Sequence, residues 1–221
     1  MKNILEIACF NLESCLIAQK AGAHRIELCE NYKEGGISPS PELIQKVKKE
    51  LTIPVFVMIR PRLGNFIYSA EEFQVMKMQV LFCKEKKCDG LVFGILDSEN
   101  KVDIKSCKEL VELAKPLPCT FHRAFDEIQH SEQALEDLIN CGFKRILTSG
   151  KQKTAIEGSS SIIKLIQKTN NRIQIVAGGG IRSGNISKLK NTGAKEFHSA
   201  AITNTYETAD EVEIKNILSS F

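Results

Sequence analysis

Leu117-Pro118-Cys119-Thr120-Phe121-His122-Arg123-Ala124-Phe125-Asp126 is a short apolar run that ends in an imidazole, a guanidinium and a carboxylate. Thr120 and Phe121 favour an extended backbone, so the run reads as a buried strand with charged chemistry at its carboxyl end. Parallel α/β folds keep their binding and catalytic groups where strand ends feed loops. A strand needs none of these three charged groups, so the cluster asks for a functional explanation.

The same alternation extends in both directions. Upstream, strands are expected at Ile4 to Cys9, Arg25 to Cys29, Pro54 to Ile59 and Gly90 to Gly94. Between them lie helical patterns from Leu12 (capped by Asn11) to about Ala21, from Pro41 to about Glu50, from Ala70 to about Lys86, and from Ile104 to Ala114. Downstream come a helix from Ser131 to Cys141, a strand Arg145 to Thr148, and a helix from about Ser160 to Thr169. A strand Arg172 to Ala177 follows, stopped by Gly178-Gly179-Gly180, with a helix from about Ser183 to Asn191. Glu196 to His198 is a last short strand, and a helix from about Ala209 to Leu218 closes the chain. Eight strand-then-helix units of roughly 25 to 30 residues predict an α/β fold of the (β/α)8 TIM-type barrel. An open doubly wound sheet also alternates, but it wants a glycine-rich first turn, and Cys9-Phe10-Asn11 has no glycine.

Bulk properties agree with one domain over residues 1–221, since a chain of 24.6 kDa with 43% hydrophobic residues can bury a full core. The 30 basic and 27 acidic residues are spread evenly and Trp is absent, which argues against nucleic-acid binding. No apolar run approaches the ~18 residues that span a bilayer, and Glu6 interrupts the first apolar run, so neither a membrane segment nor a signal peptide is expected. The expected location is cytoplasmic. Eight cysteines without a C-x-x-C pair read as reduced, mostly buried thiols.

In such a barrel the strand ends form one ring, and parity along each strand turns Glu6, Glu27, Arg60 and His122 inward. Glu6 and Glu27, on adjacent strands, are a candidate metal or acid/base pair; the plain alternative is a buried ion network with Arg60. His122 is a stronger candidate, for proton transfer, because an imidazole titrates near neutrality; the plain alternative is a buried, hydrogen-bonded structural histidine. Arg123 and Asp126 are candidates as members of the cluster, or else a surface pair. Gly178, Gly179 and Gly180 ahead of a helix suit an anion site made of backbone amides and a helix N-terminus, with Ser149 and His198 as neighbouring donors. Cys9 and Cys29 end the first two strands, where two thiolates would suit Cu(I) or Zn(II).

Taken together, Gly22-Ala23-His24-Arg25-Ile26-Glu27-Leu28-Cys29, Glu34-Gly35-Gly36-Ile37-Ser38-Pro39-Ser40, Val57-Met58-Ile59-Arg60-Pro61-Arg62, Leu91-Val92-Phe93-Gly94, Thr120 to Asp126, Leu147-Thr148-Ser149-Gly150, Gly178-Gly179-Gly180-Ile181 and Glu196-Phe197-His198 resemble, in order, the CutC family. That resemblance implies a TIM-type barrel, a cytoplasmic homo-oligomer and a role in copper homeostasis, with Cu(I) on cysteines near the first two strand ends. The second cysteine matches Cys29, and the first aligns with Ala8 or Cys9. The expected partners are thus a metal or small-molecule ligand. A different class of function also fits the residues: an enzyme acting on a small anionic or phosphorylated substrate. There Gly178 to Gly180 and Ser149 would hold the anion, Arg60 and Arg123 would position it, and His122 with Glu6 or Glu27 would move protons.

Overall fold

Local signals start and stop several of the elements. The Asn11 side chain accepts from the Ser14 amide at 2.8 Å and opens a helix, and Ser69 with Glu72 forms a reciprocal capping box at the start of another. The computed structural model describes residues 3–203 and 205–221. In chain order the elements are β1 (Ile4–Cys9), α1 (Leu12–Ala21), β2 (Arg25–Leu28), α2 (Pro41–Glu50), β3 (Val55–Met58), α3 (Ala70–Glu85), β4 (Gly90–Phe93) and α4 (Ile104–Ala114). They continue as β5 (Cys119–Phe121), α5 (Ser131–Cys141), β6 (Arg145–Thr148), α6 (Ser159–Thr169), β7 (Gln174–Gly178), α7 (Ile186–Lys190), β8 (Glu196–Ser199) and α8 (Glu211–Ser219). Every strand pairs in parallel with the next, and β8 closes onto β1 through Glu6↔His198 and its neighbours. The expected (β/α)8 barrel is the observed fold.

Several boundaries shift by a residue or two, and three departures from expectation have a local reason. The strand expected from Arg172 begins at Gln174, because the Arg172 guanidinium turns out to Glu136 on α5 at 2.6 and 2.7 Å. The helix expected from Ser183 begins only at Ile186. There the Arg182 amide donates to Asn185 Oδ1 and the Ser183 amide to Glu213 Oε1, which occupies donors that would otherwise serve the first turn. A 3-10 turn, Arg123–Glu127, follows β5 and was not legible as an element; His122 Nδ1 caps it by accepting from the Ala124 amide at 3.2 Å.

Apolar side chains form two separate clusters. The larger fills the layer between strands and helices, and the smaller, Cys29, Phe56, Met58 and Val92 with Phe10 against it, lies inside the barrel. Below that inner cluster the barrel is polar. Arg25 Nε meets Glu6 Oε2 at 2.5 Å and its Nη2 meets Glu196 Oε2 at 2.5 Å, while Arg145 Nε donates to Thr120 Oγ1. Both guanidiniums pack on the Phe56 ring, Arg145 at 3.9 Å and Arg25 at 4.6 Å from its centroid. Gly90 makes room for this ring, since a Cβ there would stand 2.4 Å from Phe56 Cε2. Among the described residues no helix is long and apolar enough to cross a membrane.

Candidate functional site at the barrel mouth

Above the polar floor a cavity of about 110 Å³ opens at the carboxyl ends of the strands. Ala8, Glu27, Cys29, Met58, Arg60, Phe66, His122, Arg123 and His198 are among its walls. The inward turn expected for Glu6, Glu27, Arg60 and His122 is what brings these groups together. All four are buried. A second, more open cavity of about 300 Å³ adjoins it, sharing Ala8, Phe10, Gly35, Arg123 and His198 and adding Gly179, Gly180 and Arg182.

Glu6, Glu27 and His198 form one cluster of ionisable groups, of which only Glu6 and His198 are hydrogen-bonded to each other. His198 Nδ1 donates to Glu6 Oε1 at 2.7 Å and lies 3.9 Å from Glu27 Oε2. Burial alone would raise the Glu6 pKa, but Arg25 and His198 hold it well below the usual carboxylate range. For Glu27 the balance goes the other way: burial pushes its pKa up and outweighs the pull of His198, and the Glu6 charge adds to the push. Burial opposes a charge on His198, yet the facing carboxylates of Glu27 and Glu6 outweigh it and raise the imidazole's pKa. Among the described residues these three side chains also bring one donor atom each within 4.8 Å of one another, a spacing that a metal ion can bridge. The ion network considered from the sequence exists, but Glu6 pairs with Arg25 and not with Arg60. Period-2 spacing from Glu27 back to Arg25 on the same strand was the signal that could have found it.

Arg60 instead fastens two loops. Its Nη1 donates to Gly36 O and its Nη2 to Gly64 O, both at 2.9 Å, and its guanidinium packs on Phe66 at 4.9 Å. Phe66 in turn lies against the His122 ring, with centroids 4.7 Å apart. On its other side that imidazole presses on Gly94, where a Cβ would fall 2.6 Å from Nδ1. The expected proton-transfer role of His122 is altered by this setting. Burial and the Arg60 charge lower its pKa to about 3, and Nδ1 already accepts from the Ala124 amide, so the ring is neutral with its hydrogen on Nε2. It faces the cavity as a hydrogen-bond donor.

Three residues expected at the site play other parts. Asp126 accepts from the amides of Ser149 and Lys151 at 3.1 Å, from Thr148 Oγ1 and from Arg123 Nε at 2.8 Å, so its carboxylate orders the loop and does not reach the cavity. Ser149 is fully buried; its amide serves Asp126, and its hydroxyl lies against Asp126 and Gln152 O and accepts from Arg123 Nη2. Ser149 therefore supports Arg123 and offers no donor of its own to an anion. Gly178 lies within β7, where a Cβ would strike Leu147 Cδ1 at 2.5 Å. Gly179 and Gly180, at φ 104° and 73°, do line the open cavity, and among the described residues their amides donate to no protein acceptor. The helix that follows is short and starts at Ile186, so it supplies no N-terminus to this turn.

Cys29 and Cys9 are not brought to one face. Cys29 belongs to the inner cluster and its thiol donates to Glu27 Oε1 at 3.3 Å, whereas Cys9 packs among the helices and donates to Ile7 O. On the first strand it is Ala8 that lines the cavity. Sequence reasoning missed Met58, which stands one residue beyond the Leu28↔Val57 pairing, beside Cys29.

The model of the CutC family matches residues 3–203. The chain belongs to the CutC family. The human copper homeostasis protein cutC homolog is 45% identical over 199 residues, 90% of this chain and 73% of that protein. The family protein CutC of Parabacteroides distasonis is 44% identical over 209 residues, 93% of this chain and 86% of its own. In structure, the CutC protein of Streptococcus agalactiae superposes with a TM-score of 0.86 at 36% identity, covering 90% of this chain and 98% of its own. CutC membership thus rests on nearly the whole barrel, including every strand end that builds the mouth.

Proposed function

We propose that this CutC protein takes up Cu(I) at the barrel mouth, with the Cys29 thiolate as the principal donor and the Met58 thioether beside it. The observation that carries the reading is the pairing of these two sulfurs on one wall of the 110 Å³ cavity. Thiolate and thioether sulfur are the donors that select Cu(I) over harder ions. The copper homeostasis names of the relatives support the same cargo. Burial and the Glu27 charge push the Cys29 thiol well above its usual pKa, so the free protein carries S–H there and copper must displace the proton. Uptake of Cu(I) is therefore expected to release a proton and to tighten as pH rises.

The test is anaerobic competition for Cu(I) against a chromophoric chelator. Cys29→Ser is expected to weaken binding by more than the roughly 10- to 100-fold that loss of an outer-shell partner costs, and Met58→Leu by less. Ala8→Cys, which adds a second thiol to the same cavity, is expected to tighten it. Equal affinity in wild type and Cys29→Ser would remove the proposal.

The polar side of the mouth favours a second reading, a small anionic substrate. Arg123, whose Nη1 meets no acceptor among the described residues, and the Gly179 and Gly180 amides, likewise unengaged among them, border the adjoining cavity. Stabilisation by inorganic phosphate, lost in Arg123→Met, is the expected sign; no shift in the wild type would remove this second reading.

A further inference from the structure

Among the described residues, three buried polar atoms on residues of the cavity wall have no hydrogen-bond partner: Glu27 Oε2, Arg60 Nε and His122 Nε2. Their residues are only 3%, 7% and 4% exposed. Leaving such a group unmet is costly, and three on residues that line one small cavity point to a ligand there. The pattern is specific. Arg60 Nε always carries hydrogen, and His122 carries hydrogen on Nε2 because its Nδ1 is the acceptor for Ala124. The residues around the cavity thus hold two unmet donors and one unmet carboxylate oxygen. Copper answers neither donor, since a cation gains nothing from an N–H.

A ligand that meets all three has an acceptor oxygen for His122 and Arg60 and a removable hydrogen for Glu27. A carbonyl group with a C–H on the neighbouring carbon has both. The cavity's volume suits a few heavy atoms, since about 150 Å³ holds benzene. The rest of the molecule would extend past Arg123 into the adjoining cavity, where Gly179 and Gly180 lie. The imidazole is also held in place, clamped between Gly94 and Phe66, which is the preorganisation that stabilising a developing oxyanion requires.

Building on the second reading above, we propose that the mouth binds a short phosphorylated α-hydroxycarbonyl compound and enolises it. Glu27 Oε2 takes the proton from the carbon next to the carbonyl. The C–H electron pair becomes the C=C bond of an enediolate, and the carbonyl π pair moves onto oxygen, where His122 Nε2–H and Arg60 Nε–H hold it. Glu27 then returns the proton, to the same carbon or, after the hydroxyl proton has passed between the two oxygens, to the former carbonyl carbon. The first return is exchange and the second is aldose–ketose isomerisation; neither needs an oxidant or a co-reactant. A neutral imidazole facing a carboxylate is the division of labour this chemistry uses.

The experiment incubates the full chain in deuterium oxide with dihydroxyacetone phosphate, erythrose 4-phosphate and ribose 5-phosphate, following loss of the α-hydrogen by proton NMR. Thermal shift with the same compounds and with inorganic phosphate reads binding. Wild type is expected to exchange at least one compound far faster than buffer. Glu27→Gln should lower kcat by about 100-fold or more with KM little changed, and His122→Gln by a similar factor. Circular dichroism confirms that each variant is folded. Binding without exchange above buffer overturns the enolisation and leaves the anionic-substrate reading standing, whereas no binding by any compound or by phosphate overturns both. Exchange that survives in folded Glu27→Gln also overturns it, by exposing a contaminant or another base.

Discussion

Replacing Arg25 with methionine is expected to destabilise the barrel by about 3–5 kcal/mol, because it leaves buried carboxylates without their cation. For a chain of this length that corresponds to a fall in Tm of roughly 10 °C. Arg25 neutralises Glu6 and Glu196 together, at 2.5 Å each, inside the closed sheet. Without it Glu6 keeps its hydrogen bond to His198 and the weaker pull of Arg145, whose guanidinium stays on Thr120 and Phe56. The double variant Arg25→Met with Glu6→Gln should recover part of the loss, since the charge that needed compensation is then gone.

The same pair carries a pH signature. Glu6 is held well below its ordinary value of 4.5, so its contribution to stability is fully present above that pH and fades as pH falls toward the folded-state value. Urea midpoints taken from pH 7 down to pH 3 should therefore drop for wild type, with a shallower drop for Arg25→Met. A midpoint for Arg25→Met equal to that of wild type at pH 7 would show that the floor network contributes nothing.

Gly158→Ala is the second large effect. Gly158 precedes α6, and a Cβ on it would stand 1.9 Å from the carbonyl oxygen of Ser149 and 2.9 Å from Gly150 Cα. From the other side, a Cβ on Gly150 would stand 2.3 Å from Gly158 O. These are backbone contacts, with no flexible side chain to yield, so the cost should reach or exceed the upper end of ordinary overpacking, about 3 kcal/mol. The displaced segment carries Ser149, which braces Arg123, so stabilisation by inorganic phosphate should fall as well. Gly184→Ala is the matched control, because nothing lies within 4 Å of the added methyl. Melting curves for the two variants test the argument; a Gly158→Ala protein as stable as Gly184→Ala would refute it.

The fold was legible because each unit carries its own punctuation. Asn11 and Ser69 as caps and the near-continuous apolar run at Val55–Met58 are local signals that a closed barrel then leaves undisturbed. The site was legible by parity alone: Glu6, Glu27, Arg60 and His122 turn inward as alternation requires. What was not legible depends on contacts between distant elements. Asp126 read as a catalytic carboxylate because its consumption by Ser149 and Lys151, more than 20 residues on, is a tertiary fact. Nothing in the local sequence announces that His122 is neutral, since that follows from burial, the Ala124 amide and Arg60. Cys9 shows the sharpest limit, because one residue of register decides between the cavity, where Ala8 stands, and the helical layer.

One consequence of the floor concerns traffic. With two guanidiniums packed on Phe56 and the glycine at position 90 yielding its space to that ring, the bottom of the barrel is a stopper. The interior is a blind well: whatever enters must leave by the same lip. Discrimination among visitors therefore falls to the strand ends and loops around that opening.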